Sequence, residues 1–373
     1  MTRVAPADLT EDGDQVIDLA GGLVMPGFID AHCHLGLLDL DDRSSLSPAE
    51  QAAHIFGNLS VALDEGFTTV RDVGGIDGSF ERARRAGLIR APRVLASGAI
   101  LSQIGGHGDL RRPFDDMPVN EREGLSLPHR LCTGAAEVTR AAREQFRRGA
   151  TQLKMHVTGG VLSAGDELED PQFALDEIAA AVAVARDRGS YVTAHAHTMA
   201  GLRRALEAGV RCFEHGSFIA AEDAELLRST GASVVPTMTI VDRILNDELS
   251  GAPADWLERE SEVDQAQRAA ISHLASAGVP VGSGSDLVGV GQRGRATEIA
   301  LKAEVLGVFG AIESATRVNA EICGLPDSGV IRPGAVADLI VHRADVLDTP
   351  SLFATRAPHI VVQSGRVVVH GEG

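Results

Sequence analysis

The sequence predicts an α/β protein: a (β/α)8 TIM barrel with a small flanking β-sandwich built from both chain ends. Three observations carry this. Short apolar, β-branched runs alternate with longer runs of helical period, the pattern of a parallel sheet with helices outside. Eight such units fit into roughly 300 residues, the size of one closed barrel. No glycine-rich dinucleotide loop follows any strand, which disfavours an open, doubly wound sheet.

The eight strand segments are GFIDAHCHL (27–35), TTVRDVG (68–74), RVLASGA (93–99), TQLKMHV (151–157), YVTAHAH (191–197), RCFEHG (211–216), SVVPTMT (233–239) and PVGSGSD (280–286). Helical period marks 134–149, 172–188, 198–208, 221–230 and 261–277. Runs such as AAREQFRRGA and ALEAGV stop at a glycine just before the next strand, because glycine accepts the left-handed conformation that ends a helix. Residues 1–26 (VIDLAGGLVMPG) and 329–373 (VIRPGAVADLIVHR, HIVVQSGRVVVHGEG) read as strands and tight turns of the composite sandwich, with 27–328 as the barrel. The N-terminal share is short: either a strand or two lie upstream, or the sandwich is reduced. The most irregular stretch, 102–131, follows the third strand on the side where barrel active sites lie and reads as a substrate-shaping loop.

Composition narrows the function. In 373 residues, 44% are hydrophobic and 23% charged, as in an ordinary globular protein. No apolar run is long enough to span a bilayer, and the first residues lack the apolar core of a signal peptide, so a cytoplasmic protein without a membrane partner is expected. A net charge of −18 with no basic run argues against nucleic acid. Aromatics at 3% offer no stacking platform for bases. Cys33, Cys132, Cys212 and Cys323 show no CxxC spacing, which argues against a disulfide framework or zinc knuckle. The partner expected is a small-molecule substrate. Self-association is left open, since sandwich edges and outer helices of such barrels often pair.

In a barrel, chemistry sits at the C-terminal ends of the strands. Read in order, those ends carry His32-Cys33-His34, Lys154, His195-Ala196-His197, Glu214-His215-Gly216 and Ser285-Asp286. Side chains two apart on a strand share a face, so His32 and His34 both look into the mouth while Cys33 faces away. Imidazoles, an acid and a lysine converging at one mouth suit one or two divalent metals. The chain has 34 basic residues and only two are lysines, Lys154 and Lys302, so a lysine kept at a strand end stands out. His54, His273, His342, His359 and His370 lie in helix or tail segments without such company.

The segments GFIDAHCHL, LKMHVTGGVLS, VTAHAHT, FEHGS and GSGSD closely resemble the amidohydrolase superfamily. RVLASGAILSQIGGHGD, with KMHVTGGVLS and HAHT, is most similar to its prolidase-like and dipeptidase-like branch, and the resemblance runs from about residue 24 to the end. It implies a binuclear site. His32, His34 and Asp286 would hold the more buried metal, His195 and His215 the more exposed one, and Lys154, carboxylated by carbon dioxide, would bridge both. Zinc fits these ligands; cobalt, manganese and iron suit a His/carboxylate site too. The implied reaction is hydrolysis of an amide (peptide-like) C–N bond in a small molecule, such as a dipeptide or N-acyl amino acid. A metal-bridging hydroxide attacks, with Asp286 as proton shuttle. His107, in GGHGD, is implied to contact the substrate or its oxyanion. His197 is open between ligand, substrate contact and support, with the last two favoured.

Two departures bear on the substrate. The branch commonly carries an aromatic hydroxyl in an HGTY-like run; here the run is HGSFI, with Phe218, and the single tyrosine, Tyr191, starts strand five. His156 stands where the family more often has an apolar residue. Phe218 and His156 are therefore expected to shape the substrate pocket. Arg111, Arg112, Arg293 and Arg295 lie in loops from which a cation can reach a substrate carboxylate. Two alternatives stay on the table: a hydrolase of another amide, carbamate or cyclic imide, and a non-catalytic scaffold. All six implied metal positions are present, which weighs against the scaffold.

Overall fold

The computed structural model describes residues 1, 3–4, 16–17, 19, 21–38, 46–111, 114, 125–126, 128–161, 165–246 and 254–371. β1 (Leu23–Pro26) runs almost directly into β2 (Phe28–Cys33). The strands β3 (Phe67–Asp72), β4 (Arg93–Ala96), β5 (Ile100–Gln103), β6 (His129–Cys132), β7 (Leu153–His156), β8 (Val192–Ala196), β9 (Cys212–His215) and β10 (Ser233–Val235) follow. β2–β3–β4 form one parallel ladder and β10–β9–β8–β7–β5–β6 another.

Backbone bonds join the two ladders into a circuit. Thr151 N donates to Ala96 O at 2.8 Å, linking β4 to the start of β7. On the other side Val281 bridges Val234 in parallel, Ala31 N donates to Ser283 O at 3.0 Å, and Asp286 N donates to His32 O at 2.8 Å. Segment 280–286 is thus the eighth stave, though it makes one bridge instead of a ladder. Gly284 lets it come close: a Cβ there would stand 2.3 Å from His32 Cβ, so the segment approaches β2 only as glycine.

The sequence reading needs three corrections. The seventh strand stops at Val235, because Pro236 has no N–H to continue a ladder and a helix begins at Met238. The stretch 102–131 is not all loop: it supplies the end of β5 and most of β6, which pair in parallel. These were illegible because each is four residues long and β6 (HRLC) is half polar. The helix expected at 261–277 begins earlier, at Ala254.

The helices are α1 (Pro48–Asp64), α2 (Ser79–Arg85), α3 (Gly134–Arg147), α4 (Leu175–Asp187), α5 (Met199–Ala208), α6 (Ala221–Thr230), α7 (Met238–Leu245), α8 (Ala254–Ala277), α9 (Thr297–Glu313) and α10 (Asn319–Ile322). α1 opens with Pro48 and a reciprocal cap, in which Ser47 Oγ accepts from Glu50 N and the Glu50 carboxylate accepts from Ser47 N. α5 and α6 end on Gly209 and Gly231 in the left-handed conformation, as their sequences predict. Their apolar faces pack on the strands in two large clusters, one around β7–β10 and one around β2–β4. Both chain ends meet in an antiparallel sheet, β1 with β11 (Leu339–His342), β12 (Ile360–Gln363) and β13 (Arg366–His370). β1 is held there by β11, and that fixes where β2 enters the barrel. No described helix is long and apolar enough to cross a membrane.

Candidate metal centre

His32 and His34 leave the end of β2 on one face, as alternation requires. Their Nε2 atoms lie 3.2 Å apart, and each lies 3.2 Å from Asp286 Oδ1. Ligand atoms held tetrahedrally about 2.0–2.1 Å from a metal stand about 3.3 Å from one another. The triangle therefore has the dimensions of one face of such a site.

The far sides of the rings fix their tautomers. His34 Nδ1 donates to Gly74 O at 2.7 Å, which leaves the Nε2 lone pair pointing inward. His32 Nδ1 meets the Glu214 carboxylate at 2.7 Å. Glu214 is held in turn by the guanidinium of Arg71 at 2.6 Å and by the Thr193 hydroxyl. Arg71 is fully buried, and its Nε donates to Ala31 O at 2.5 Å, one residue before His32. Burial alone would raise the Glu214 pKa, but Arg71 and His32 outweigh it and hold it at about 2. Burial and Lys154 push His32 down; Asp286 and Glu214 overcome both and its pKa rises. Burial likewise works against ionised Asp286, yet His32 and His34 keep its carboxyl well below the usual range.

Asp30 aligns the two sides of the triangle. One of its oxygens accepts from Ser285 N at 3.0 Å and His32 N at 3.2 Å; the other accepts from Ser285 Oγ at 2.6 Å. Asp286 at φ +53° and His215 at φ +66° sit in the left-handed region, where non-glycine residues cost energy and where functional sites concentrate strain.

A second group lies across the mouth. The ligand atoms of His195, His197 and His215 are within 4.8 Å of one another, as are those of His32, His215 and Asp286, and of His107, His156 and His195. His195 Nε2 donates to Gly159 O at 3.0 Å, which turns the Nδ1 lone pair inward. His215 Nδ1 is 2.8 Å from Thr237 Oγ1 and 3.9 Å from Asp286 Oδ2. His197 Nδ1 contacts Ser217 Oγ at 3.0 Å. Burial first, and then the crowd of neighbouring rings, lowers His195, His215 and His156 well below the ordinary imidazole value. The same causes bring His197 to about 3, and burial with Lys154 brings His107 to about 4. Neutral imidazoles keep lone pairs, so buried rings around one carboxylate are a donor set that fits divalent cations.

Lys154 rises from β7 into the same space. It is 1% exposed and, among the described residues, its ammonium has no hydrogen-bond or ion-pair partner. Burial lowers its pKa to about 8, against the opposing pull of Glu214 and Asp286.

These groups line a pocket of about 120 Å³. His34, Lys154, His195, His215 and Asp286 face it, with His32 tucked beneath; His107, His156 and His197 face it as well. The His107 ring stacks on His195 at 4.5 Å, and His156 Nδ1 lies 3.2 Å from Ser102 Oγ on β5.

Other expected contacts fall away from the lining. Phe218 packs beside the pocket against the apolar cluster of Val161, Ile240 and Val263, because its backbone N–H is turned onto His197 O. Arg295 is fully buried and ion-paired with Asp30 at 3.3 Å, so it steadies β2 instead of meeting a substrate. Arg111 pairs with Asp109 at 2.6 Å. Neither Arg293 nor Arg111 lines the pocket, and Arg112 lies outside the described residues. Tyr191 is sealed below, its hydroxyl bonded by Arg71 at 3.2 Å. The sequence reading missed His129, Glu260 and Gln267, which do line the pocket, and the Arg71 support of Glu214. His129 had a signal, an isolated histidine inside the supposed loop. Glu260 and Gln267 had none, since polar residues on a long helix ordinarily face water.

Known proteins resemble this chain over nearly its whole length. The model of the Amidohydrolase family matches residues 23–371. An ochratoxinase from Aspergillus niger is 31% identical over 368 residues, covering 94% of this chain and 76% of that protein. A prolidase crystallised with N-methylphosphonate-L-proline superposes with a TM-score of 0.93 at 36% identity, covering 99% of this chain and 92% of the other. A Xaa-Pro dipeptidase with bound methionine gives 0.86 at 28% identity, covering 97% and 91%. With the family matched from β1 through the barrel to β13, the chain belongs to the amidohydrolase family.

Proposed function

We propose that this protein is a metal-dependent hydrolase of an amide (peptide-like) C–N bond in a small molecule, such as a dipeptide or N-acyl amino acid. The observation that carries the reading is the 3.2 Å triangle of His32 Nε2, His34 Nε2 and Asp286 Oδ1, with the ring orientations set from behind by Glu214 and Gly74. His32, His34 and Asp286 would hold one metal, His195 and His215 a second, and Lys154 would join them as a carbamate. Zinc suits the set, and cobalt, manganese or iron are alternatives. Bound divalent metals lower the pKa of water and polarise a carbonyl.

The chain's own residues do the rest. Lys154, buried and with its pKa lowered, presents an amine whose nitrogen can bond the carbon of carbon dioxide and release a proton. Only then does it offer oxygen ligands, since an ammonium has no lone pair. Asp286 would accept the proton of the attacking water and hand it to the leaving nitrogen as the C–N bond breaks. His107 and His156, neutral and facing the pocket, orient the carbonyl oxygen. His197 steadies His215 by stacking at 4.9 Å. The ochratoxinase, prolidase and Xaa-Pro dipeptidase relatives support an amide as the bond cleaved. The lack of any tyrosine facing the pocket, together with His129 and His156 on its wall, keeps a carbamate or another amide as the second reading.

The test is metal content per chain after purification without chelator, beside a screen of dipeptides and N-acyl amino acids. About two metals with turnover supports the proposal. Two metals and turnover only of other amides or carbamates moves the reading to the second one. A metal-free, inactive protein overturns both.

A further inference from the structure

One wall of the pocket is unlike the rest. α8 lays Glu260, Val263 and Gln267 along it, at the i, i+3 and i+7 spacing of one helix face. Around them the wall is apolar, with Val161, Ile240 and Val241 in the same cluster as Val263. Gln267 is 1% exposed, yet neither its Oε1 nor its Nε2 has a hydrogen-bond partner among the described residues. More than nine in ten buried polar groups are paired, and an unpaired amide in an apolar wall is destabilising, so this one is kept on the pocket wall at a cost. Glu260 is 4% exposed and also faces the pocket.

Resting on the amide-hydrolase reading above, we propose that Gln267 and Glu260 form a recognition subsite for a neutral, carboxamide-bearing side chain of the substrate, such as that of glutamine. The two empty valences of Gln267 decide between candidates. An ammonium would satisfy Oε1 and leave Nε2 unpaired. A carboxylate would satisfy Nε2 and leave Oε1 unpaired. A carboxamide meets both, with its oxygen on Nε2 and one N–H on Oε1, and its second N–H is free for a Glu260 oxygen. The apolar residues around the pair take up the methylenes. The state of Glu260 agrees: burial, with Asp286 and Asp264, raises its carboxyl to about 8, so it sits uncharged near neutrality and favours an uncharged guest.

The experiment uses the metal-loaded enzyme and substrates that differ in one residue, glutamine, methionine, glutamate or lysine, placed on either side of the scissile bond. On one side the glutamine substrate should exceed its methionine counterpart at least about tenfold in kcat/KM, because a polar site left unpaired rejects the apolar analogue. Gln267→Met should reduce kcat/KM for the glutamine substrate at least about tenfold more than for the methionine one, and should raise Tm, whereas a merely structural glutamine would lower Tm when replaced. Glu260→Gln gives a second variant with the same volume. A preference for lysine or glutamate, no preference for glutamine, or a preference that survives Gln267→Met overturns the subsite while leaving amide hydrolysis standing. If no substrate of any kind is cleaved, the amide-hydrolase reading fails, and the subsite is judged by calorimetric titration with N-acetyl-L-glutamine against N-acetyl-L-methionine. Equal affinity for the two in the wild type overturns it, and tighter glutamine binding that is lost in Gln267→Met upholds it.

Discussion

The only two lysines of the chain are both buried, and they sit in opposite circumstances. Lys302, on α9, is closed into an ion pair with Glu298 one turn away and donates to Pro236 O at 3.1 Å. Glu298 in turn accepts from Thr239 N at 2.7 Å and its hydroxyl at 2.8 Å, at the start of α7. That cluster fastens α9 to the end of β10 beneath the pocket. Lys154, on β7, has the same near-zero exposure and no partner among the described residues, and it stands among imidazoles and Asp286. Burial lowers both amines, but Lys302 is drawn back by a carboxylate in contact, while the pull of Glu214 and Asp286 on Lys154 comes without a contact. A buried ammonium without a partner is tolerated only where something other than stability maintains it. Burial makes a lysine unusual, but the absence of a neutralising contact is what marks a site.

The largest expected effect breaks the comparison on the Lys154 side. Lys154→Ala should bind less metal and lose activity by about 10³-fold or more, because in the proposed site two cations would then face each other without the lysine's bridging anion. Bicarbonate with a short carboxylic acid should restore part of both. Metal analysis and kcat/KM on the same preparation check this, and full activity in the unsupplemented variant would end the bridging model. The neighbouring test separates holding metal from moving protons. Asp286→Asn keeps an oxygen ligand and should retain much of the metal, yet lose about 10²–10⁴ in kcat, the usual worth of a positioned acid–base group. Metal-loaded Asp286→Asn with unchanged kcat would place the proton transfer on another residue.

How far the sequence could be read follows the same division between groups whose neighbours are local and groups whose neighbours are not. The HxH at the end of β2 was legible because alternation alone puts His32 and His34 on one face, and the barrel rule says which end matters. His195 and Lys154 were legible for the same reason. Arg71 was not, since its partner Glu214 lies 143 positions away and only barrel closure brings them within 2.6 Å. Arg295 was read as a loop cation because its partner Asp30 is more remote still in sequence. Gln267 and Glu260 were unreadable because α8 tips its polar face over the barrel mouth, and helical period cannot tell a solvent face from a pocket face. Phe218 was placed at the pocket by the likeness of HGSFI to the family's HGTY-like run, and it packs against the apolar cluster of Val161, Ile240 and Val263.

The smaller effects lie on the Lys302 side and sharpen the contrast. Lys302→Met should leave metal content near that of the wild type, since among the described residues the lysine's hydrogen bonds go to Glu298 and Pro236. It strands the Glu298 carboxylate without its cation, and removing one partner of a buried pair costs about 3–5 kcal/mol. Denaturant unfolding should read that loss as a lower midpoint with an unchanged slope. The double variant Lys302→Met with Glu298→Gln is the finer measurement. The glutamine keeps an oxygen for the two Thr239 donors and carries no charge to strand, so it should return about 1–3 kcal/mol of the loss. If the double variant is as unstable as the single one, the stranded charge is not the cause and the methionine is failing to pack. If Lys302→Met loses metal as fully as Lys154→Ala does, then the two lysines do not divide the labour between framework and site, because the α9–β10 junction would be setting the ligand geometry through Pro236 and Thr237, the threonine on which His215 rests.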